Sequence, residues 1–246
     1  MLKRNTICTI LALFLAFTFK AYASSGISKE YKWTKISGRW EKREDKGKYY
    51  LIETKAIARK WGNSELINFN SIITKKHTLN ITSINLKMRI LNPLRNPVEK
   101  MIFFSAKNFR EFYAFKFVGN KKKIKKIVFI NSKIKDSSRR ITEKWNFKIT
   151  EIMSKNYDLE YNKDYNIEIK IEGKKSALII NSGMALYVEA KETMSNGRLG
   201  FSIRNALLKI ADVRVFSDDK CIFEDNFSED TIKRYGAKAT RINKKK

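Results

Sequence analysis

Carboxylates, a single histidine, a run of lysines and four tryptophans are the side chains of this sequence whose types could do chemistry, and their spacing decides how much. Glycoside cleavage needs two carboxyl groups about 5 Å apart for retention, or about 6.5–9.5 Å apart for inversion. The nearest same-face pair is Asp158 and Glu160, either side of Leu159, in a polar stretch that reads as a loop. The only histidine, His77, lies in Lys75-Lys76-His77-Thr78 as in a charged surface turn. With no second histidine to join it, the three or four ligands of a zinc site are missing. Asp218, Asp219, Glu224, Asp225, Glu229 and Asp230 form the one acidic concentration, without the Asp-x-Asp-x-Asp-Gly order of a calcium loop. They read as a solvated segment that pairs with Lys220, Lys233 and Arg234. No cofactor is expected, and calcium is the one ion that this segment leaves open.

Binding groups are more plentiful. Tryptophan rings stack on the apolar faces of sugars while neighbouring polar groups fix the hydroxyls. Of Trp33, Trp40, Trp61 and Trp145, Trp61 is the best ligand candidate, because it stands between Lys60 and Gly62-Asn63 in a loop-like setting. Lys121, Lys122, Lys123, Lys125 and Lys126 follow the Gly119-Asn120 turn, with Arg139 and Arg140 further on. Lysines attract anions as point charges and lack the bidentate fork of arginine. The expectation is an electrostatic site for an acidic glycan or another polyanion, projected from a hairpin.

The chain of 246 residues has 52 Lys and Arg against 25 Asp and Glu, a net charge of +27. Its start has the parts of a secretory signal: Lys3 and Arg4, the apolar run Ile7 to Phe19, and Ala21-Tyr22-Ala23 before Ser24. The run falls short of the roughly 20 residues that span a bilayer. Cleavage after residue 23 removes Lys3, Arg4 and Lys20 and leaves +24 on 223 residues. The expected locale is the periplasm, the cell surface or the medium, with no stable membrane insertion after cleavage. Export and the lack of any nucleic-acid-binding motif argue against nucleic acid as partner. Of the two cysteines, Cys8 leaves with the signal, so Cys221 cannot form an internal disulfide. Its neighbours Ile222 and Phe223 suggest a buried, inert thiol.

The elements that must position these groups are strands. Leu86, Met88 and Ile90 alternate with Asn85, Lys87 and Arg89, and Ile167, Ile169 and Ile171 alternate with Asn166, Glu168, Lys170 and Glu172. This period of two marks half-buried strands. Further runs are Tyr49 to Glu53, Val98 to Ser105, Phe112 to Val118, Ile127 to Ile130, Leu178 to Ile180, Met184 to Val188 and Val213 to Phe216. Turn chemistry separates them at Gly119-Asn120, Gly173-Lys174, Asn181-Ser182-Gly183 and Asn196-Gly197, with Gly173 and Gly183 supplying positive φ. Pro93 and Pro97 bracket one loop. Many short strands with little helix predict an all-β, two-sheet antiparallel sandwich at residues 24–243, followed by a basic tail at 244–246.

Residues 37–227 resemble a concanavalin A-like (laminin G-like) jelly-roll domain, the group that includes the 3-keto-disaccharide hydrolase-like family. The resemblance rests on Ser37-Gly38-Arg39-Trp40, Tyr113 to Phe117, the Tyr165 to Gly173 strand with Leu178 to Asn181, Asn196-Gly197-Arg198-Leu199-Gly200-Phe201, and Ile210 to Val215. It implies a jelly roll. Retaining glycosidases of that fold have Glu-x-Asp-x-x-Glu on one strand, and no Glu here is followed two residues later by Asp. The Gln-[Ile/Val]-His and Tyr-Phe-Lys-x-Gly patterns of polysaccharide lyases on that fold are also missing. The favoured reading is a non-catalytic exported module that binds an envelope glycan or a protein partner. The alternatives are a carbohydrate-active hydrolase with carboxylates on separate loops, and a structural component of a periplasmic or surface assembly.

Overall fold

A computed structural model of the chain describes residues 32–54, 70–75, 79–91, 93–108, 111–135, 147–194, 196–228 and 232–233. All belong to the compact unit Tyr31–Lys246. The signal segment, Trp61, His77, Arg139, Arg140, Trp145, Glu229, Asp230, Arg234 and the basic tail lie outside the described residues.

The larger sheet follows the order β10 (Phe147–Glu160), β9 (Lys123–Ile134), β8 (Phe112–Gly119), β7 (Val98–Ala106), β14 (Asn196–Arg204), β4 (Asn70–Thr74), β1 (Trp33–Lys35) and β17 (Ile232–Lys233), with the short β5 (Leu79–Asn80) also on β14. The smaller sheet runs β13 (Gly183–Glu189), β12 (Lys175–Ile180), β11 (Tyr165–Glu172), β6 (Ser83–Leu91), β15 (Leu207–Ser217), β3 (Lys48–Glu53) and β2 (Trp40–Asp45), with β16 (Lys220–Asp225) also on β15. The ladders are antiparallel, apart from a two-residue parallel pairing of β1 with β17. This is the predicted two-sheet jelly-roll sandwich, and no described helix is long and apolar enough to cross a membrane.

The alternation read from the sequence is the alternation in space. Leu86, Met88 and Ile90 on β6 and Ile167, Ile169 and Ile171 on β11 are buried between the sheets, as are Phe201, Ile203, Val213 and Val215. Each such side chain contributes about 1.5–3 kcal/mol when fully buried. Trp33 lies within this core, its ring 5.5 Å from Phe201 and Phe223 and 6.1 Å from Phe227. Its indole N–H donates to Asp225 Oδ2 at 2.7 Å, and the other carboxylate oxygen accepts from the Phe227 amide at 2.8 Å. Trp33 and Trp40 are therefore core residues rather than a sugar platform. The Gly200 backbone crosses the Phe103 ring so closely that a Cβ there would come within 2.1 Å of it.

Several expectations are corrected. Asp158 and Glu160 lie exposed on β10, the edge strand of the larger sheet, either side of the buried Leu159, and not in a loop. Asn196-Gly197 opens β14 rather than forming a turn, and Gly197 lets β14 pass Ser105. In the β12–β13 turn the left-handed residues are Asn181 and Ser182, at φ 48° and 68°, while Gly183 starts the strand. Two successive positive φ angles are what a type I′ hairpin turn requires, and asparagine tolerates that region. Cys221 is exposed, because β16 lies at an outer position on β15 and Cys221 itself points to solvent. Of the acidic segment, Glu224 pairs with Arg214 at 2.9 Å and Asp225 is buried against Trp33, while Glu229, Asp230 and the expected partner Arg234 lie outside the described residues.

Candidate functional site

The two outer faces of the sandwich differ in chemistry. On the larger sheet, Met101, Phe103, Phe112, Ala114, Val128 and Ile130 form a second apolar cluster, and it is buried. The smaller sheet presents the polar phase of its alternating strands, and this face is open.

Strand register sets the side chains of that face in rows. In one row Tyr187 lies opposite Ala177, Ala177 opposite Lys170, Lys170 opposite Ser83, and Ser83 opposite Phe216. In the next, Met184, Ile179, Glu168, Asn85 and Arg214 follow in the same way. A third brings Asn166 to Lys87 and Lys87 to Ala211. Over the first rows lies a groove of about 620 Å³, with Met184 and Tyr187 at one side and Phe216, Asp218 and Asp219 at the other. Met184 and Tyr187 are 56% and 49% exposed, and among the described residues Tyr187 is the one exposed aromatic. An adjoining hollow of about 410 Å³ shares Asn85 and Glu168 with the groove. A third, of about 480 Å³, shares Lys87, Asn166 and Asp212 with the second and reaches Tyr50. The three form one trough across the sheet.

Charges in the trough neutralise one another at short range. Lys87 meets Asp212 at 2.7 Å, and Lys170 meets Glu168 at 3.6 Å on the same strand. Arg89 grips both oxygens of Asp164, and these hydrogen bonds hold the Asp164 carboxyl below the usual aspartate value. The Lys209 ammonium lies 3.7 Å from the centroid of the Tyr50 ring, in cation–π range. Glu168 and Glu172 are four residues apart on β11, which at about 3.3 Å per residue separates them by roughly 13 Å. That is beyond either glycosidase spacing. Among the described residues no group of three or more His, Cys, Asp or Glu is arranged to hold a metal ion.

The lysine cluster occupies the β8–β9 hairpin on the other sheet. Asn120 shapes its turn by accepting from the amides of Lys122 and Lys123 through Oδ1, at 2.8 and 3.2 Å. Tyr161 donates its hydroxyl to the Asn120 carbonyl, and burial pushes the Tyr161 pKa up to about 12. Lys121, Lys122 and Lys125 are exposed. Lys123 pairs with Asp158 and Lys126 with Glu151 at 3.1 Å, both acids standing on β10. The five lysines thus gather at one hairpin, well separated in sequence and by sheet from the trough.

Sequence reading passed over Tyr187, Phe216 and Tyr50. The signal was available for Tyr187: it stands between the buried Leu186 and Val188, at a position where alternation calls for a polar residue. A large aromatic in the solvent phase of a strand is a binding signal, whereas Trp33 and Trp40 held the apolar phase.

No protein-family model matches the sequence, and no curated protein matches it. Solved structures do. The carbohydrate-binding module CBM66 from Bacillus subtilis superposes with a TM-score of 0.54 at 14% identity, covering 76% of this chain and 97% of the module. A GH16 protein of the Bacteroides ovatus mixed-linkage glucan locus, in complex with an oligosaccharide product, gives 0.51 at 10% identity, covering 77% of this chain and 95% of that one. Identities this low speak for architecture, and together with the strand order they make this chain a concanavalin A-like jelly-roll sandwich.

Proposed function

We propose that this protein is an exported, non-catalytic module that binds a glycan on the open face of its smaller sheet. The observation that carries this reading is the trough itself: exposed Tyr187 and half-buried Phe216 flank a floor of Ser83, Asn85, Lys170 and Glu168. Flat apolar rings beside convergent hydrogen-bonding groups match the two kinds of surface that a sugar presents. The carbohydrate-binding neighbour supports the class. The wide separation of Glu168 from Glu172 and the missing Glu-x-Asp-x-x-Glu order support binding without cleavage. For export the support is the sequence of residues 1–23.

Glycan-array binding followed by titration calorimetry tests the proposal. The parent protein is expected to bind glycans, and Tyr187→Ala to lose about fivefold in affinity while keeping its thermal midpoint, since the side chain is half exposed and one ring contact is worth about 1 kcal/mol. Equal binding by parent and variant moves the site off this face. Release of reducing ends on incubation ends the non-catalytic reading.

A second site is favoured by the hairpin, where Lys121, Lys122 and Lys125 have no ion-pair partner among the described residues. Its ligand is a polyanion such as an acidic polysaccharide, held by charge.

A further inference from the structure

The chain carries about two cations for every acid, 52 against 25, yet the trough does not share this excess. Seven basic and six acidic side chains line its three stretches. Several of the cations are bound to a carboxylate: Lys87 to Asp212, Arg89 to Asp164, Lys170 to Glu168, and Arg214 to Glu224. A site evolved for an anion keeps cations available for it, as the β8–β9 hairpin does. Here five of the seven have a counter-charge in place, Lys209 with Asp45 being the fifth and Lys48 and Lys175 the exceptions, and an incoming carboxylate or sulfate over the floor would have to displace one. An uncharged polyol faces no such cost. It can donate to the carboxylate and accept from the ammonium of the same pair, and charge-assisted hydrogen bonds of this kind are stronger than neutral ones.

The dimensions add a second constraint. From Tyr187 on β13 to Tyr50 on β3 the trough crosses five inter-strand steps. At about 4.8 Å per step that is about 24 Å, room for roughly four or more pyranose units laid end to end. Its aromatics are spread along it: exposed Tyr187 at one end, half-buried Tyr50 at the other, and half-buried Phe216 on β15, across the groove from Tyr187.

Building on the glycan-binding reading of this face, we infer that the trough takes an uncharged, linear glycan and grips several consecutive sugars, and that acidic glycans are directed to the lysine hairpin on the other sheet. Charge thus sorts two ligand classes between two faces of one sandwich.

The test measures full-length protein by titration calorimetry against mixed-linkage β-glucan, xyloglucan and galactomannan, their oligosaccharides of two to six units, and polygalacturonate and hyaluronan as acidic probes. Expected is binding of at least one neutral polymer with affinity rising about tenfold or more from the disaccharide to the longest oligosaccharide, in keeping with additional ring contacts. That affinity should change less than twofold between 50 and 500 mM salt, where an interaction with unpaired cations would be heavily screened. Tyr187→Ala and Tyr50→Ala should each weaken it. If the acidic probes alone bind, and Tyr187→Ala weakens them, the trough is a glycan site of the wrong class and this inference falls while the glycan-binding reading stands. If a neutral disaccharide binds as tightly as the longer chains, the multi-sugar grip falls. If no probe shows binding that depends on Tyr187, both readings fall together.

Discussion

The side chain of Lys100 holds an inward position on β7, in phase with Val98, Ile102 and Phe104. Its ammonium nitrogen lies 5.2 Å from the centroid of the Phe117 ring, fully buried and without a hydrogen-bond partner. Burial alone holds this amine well below the ordinary lysine value. The unfolded chain therefore binds a proton at Lys100 that the folded chain refuses, and stability rises with pH until the unfolded value near 10.4 is passed. Lys100→Met, which keeps the stem and removes the amine, is expected to stabilise the fold by about 1–3 kcal/mol at neutral pH. The difference from the parent should shrink as pH climbs from neutral towards 10, in urea unfolding followed at several pH values. A destabilised variant at pH 7 would mean that the amine has a partner that matters. No reading of the sequence singles out Lys100, since Val98-Glu99-Lys100-Met101 places its two charges side by side on opposite faces. Only pairing with β8 decides which of them is inside.

At the scale of elements, the β8–β9 hairpin separates shape from charge. Its shape comes from Asn120, whose side chain caps the turn, and from Tyr161 beneath it, so the lysines are free to vary. Lys122, Lys123 and Lys125 changed together to Ser should weaken binding to an acidic polysaccharide column about tenfold at low salt, at about 0.2–1 kcal/mol for each exposed charge. The thermal midpoint should stay within a few degrees. Retention equal to the parent would leave the hairpin as a solvated turn. The strands of the smaller sheet were legible because one face of each is buried and writes its period into the sequence, whereas β7 and β8, buried on both faces, read as apolar runs set off by turn residues. The β10 strand was not legible. Much of it is exposed and its register shifts twice against β9, so the alternation kept by Phe147 and Ile149 at one end and Tyr157 and Leu159 at the other is broken in between. The trough was half legible: Asn85, Lys87, Glu168 and Lys170 are plainly the polar phase of β6 and β11. That Phe216 would face Ser83 across more than a hundred residues is a matter of strand pairing, which no local pattern encodes.

For the molecule as a whole, compartment and folding are linked. The cleavage site after Ala23 is expected to give a mature chain beginning at Ser24, and intact-mass analysis of protein from the envelope or medium checks it; a product retaining Met1 on membranes would contradict export in soluble form. On the export route proposed above, the chain would meet its compartment from the N-terminal end, and the strand order would make that a demanding way to arrive. β14 stands between β7 and β4 in one sheet, and β15 stands between β6 and β3 in the other, joined by the two residues Asn205 and Ala206. The last third of the chain therefore supplies the middle of both sheets. Until residues 196–217 have emerged, β4, β7, β3 and β6 each wait with an unpaired edge, rich in isoleucine and phenylalanine, and exposed edges of that kind invite pairing with the wrong chain. On that route the net charge of +27 would have a use before any ligand is met, keeping half-emerged copies apart until one short connection, crossing from sheet to sheet, closes both at once.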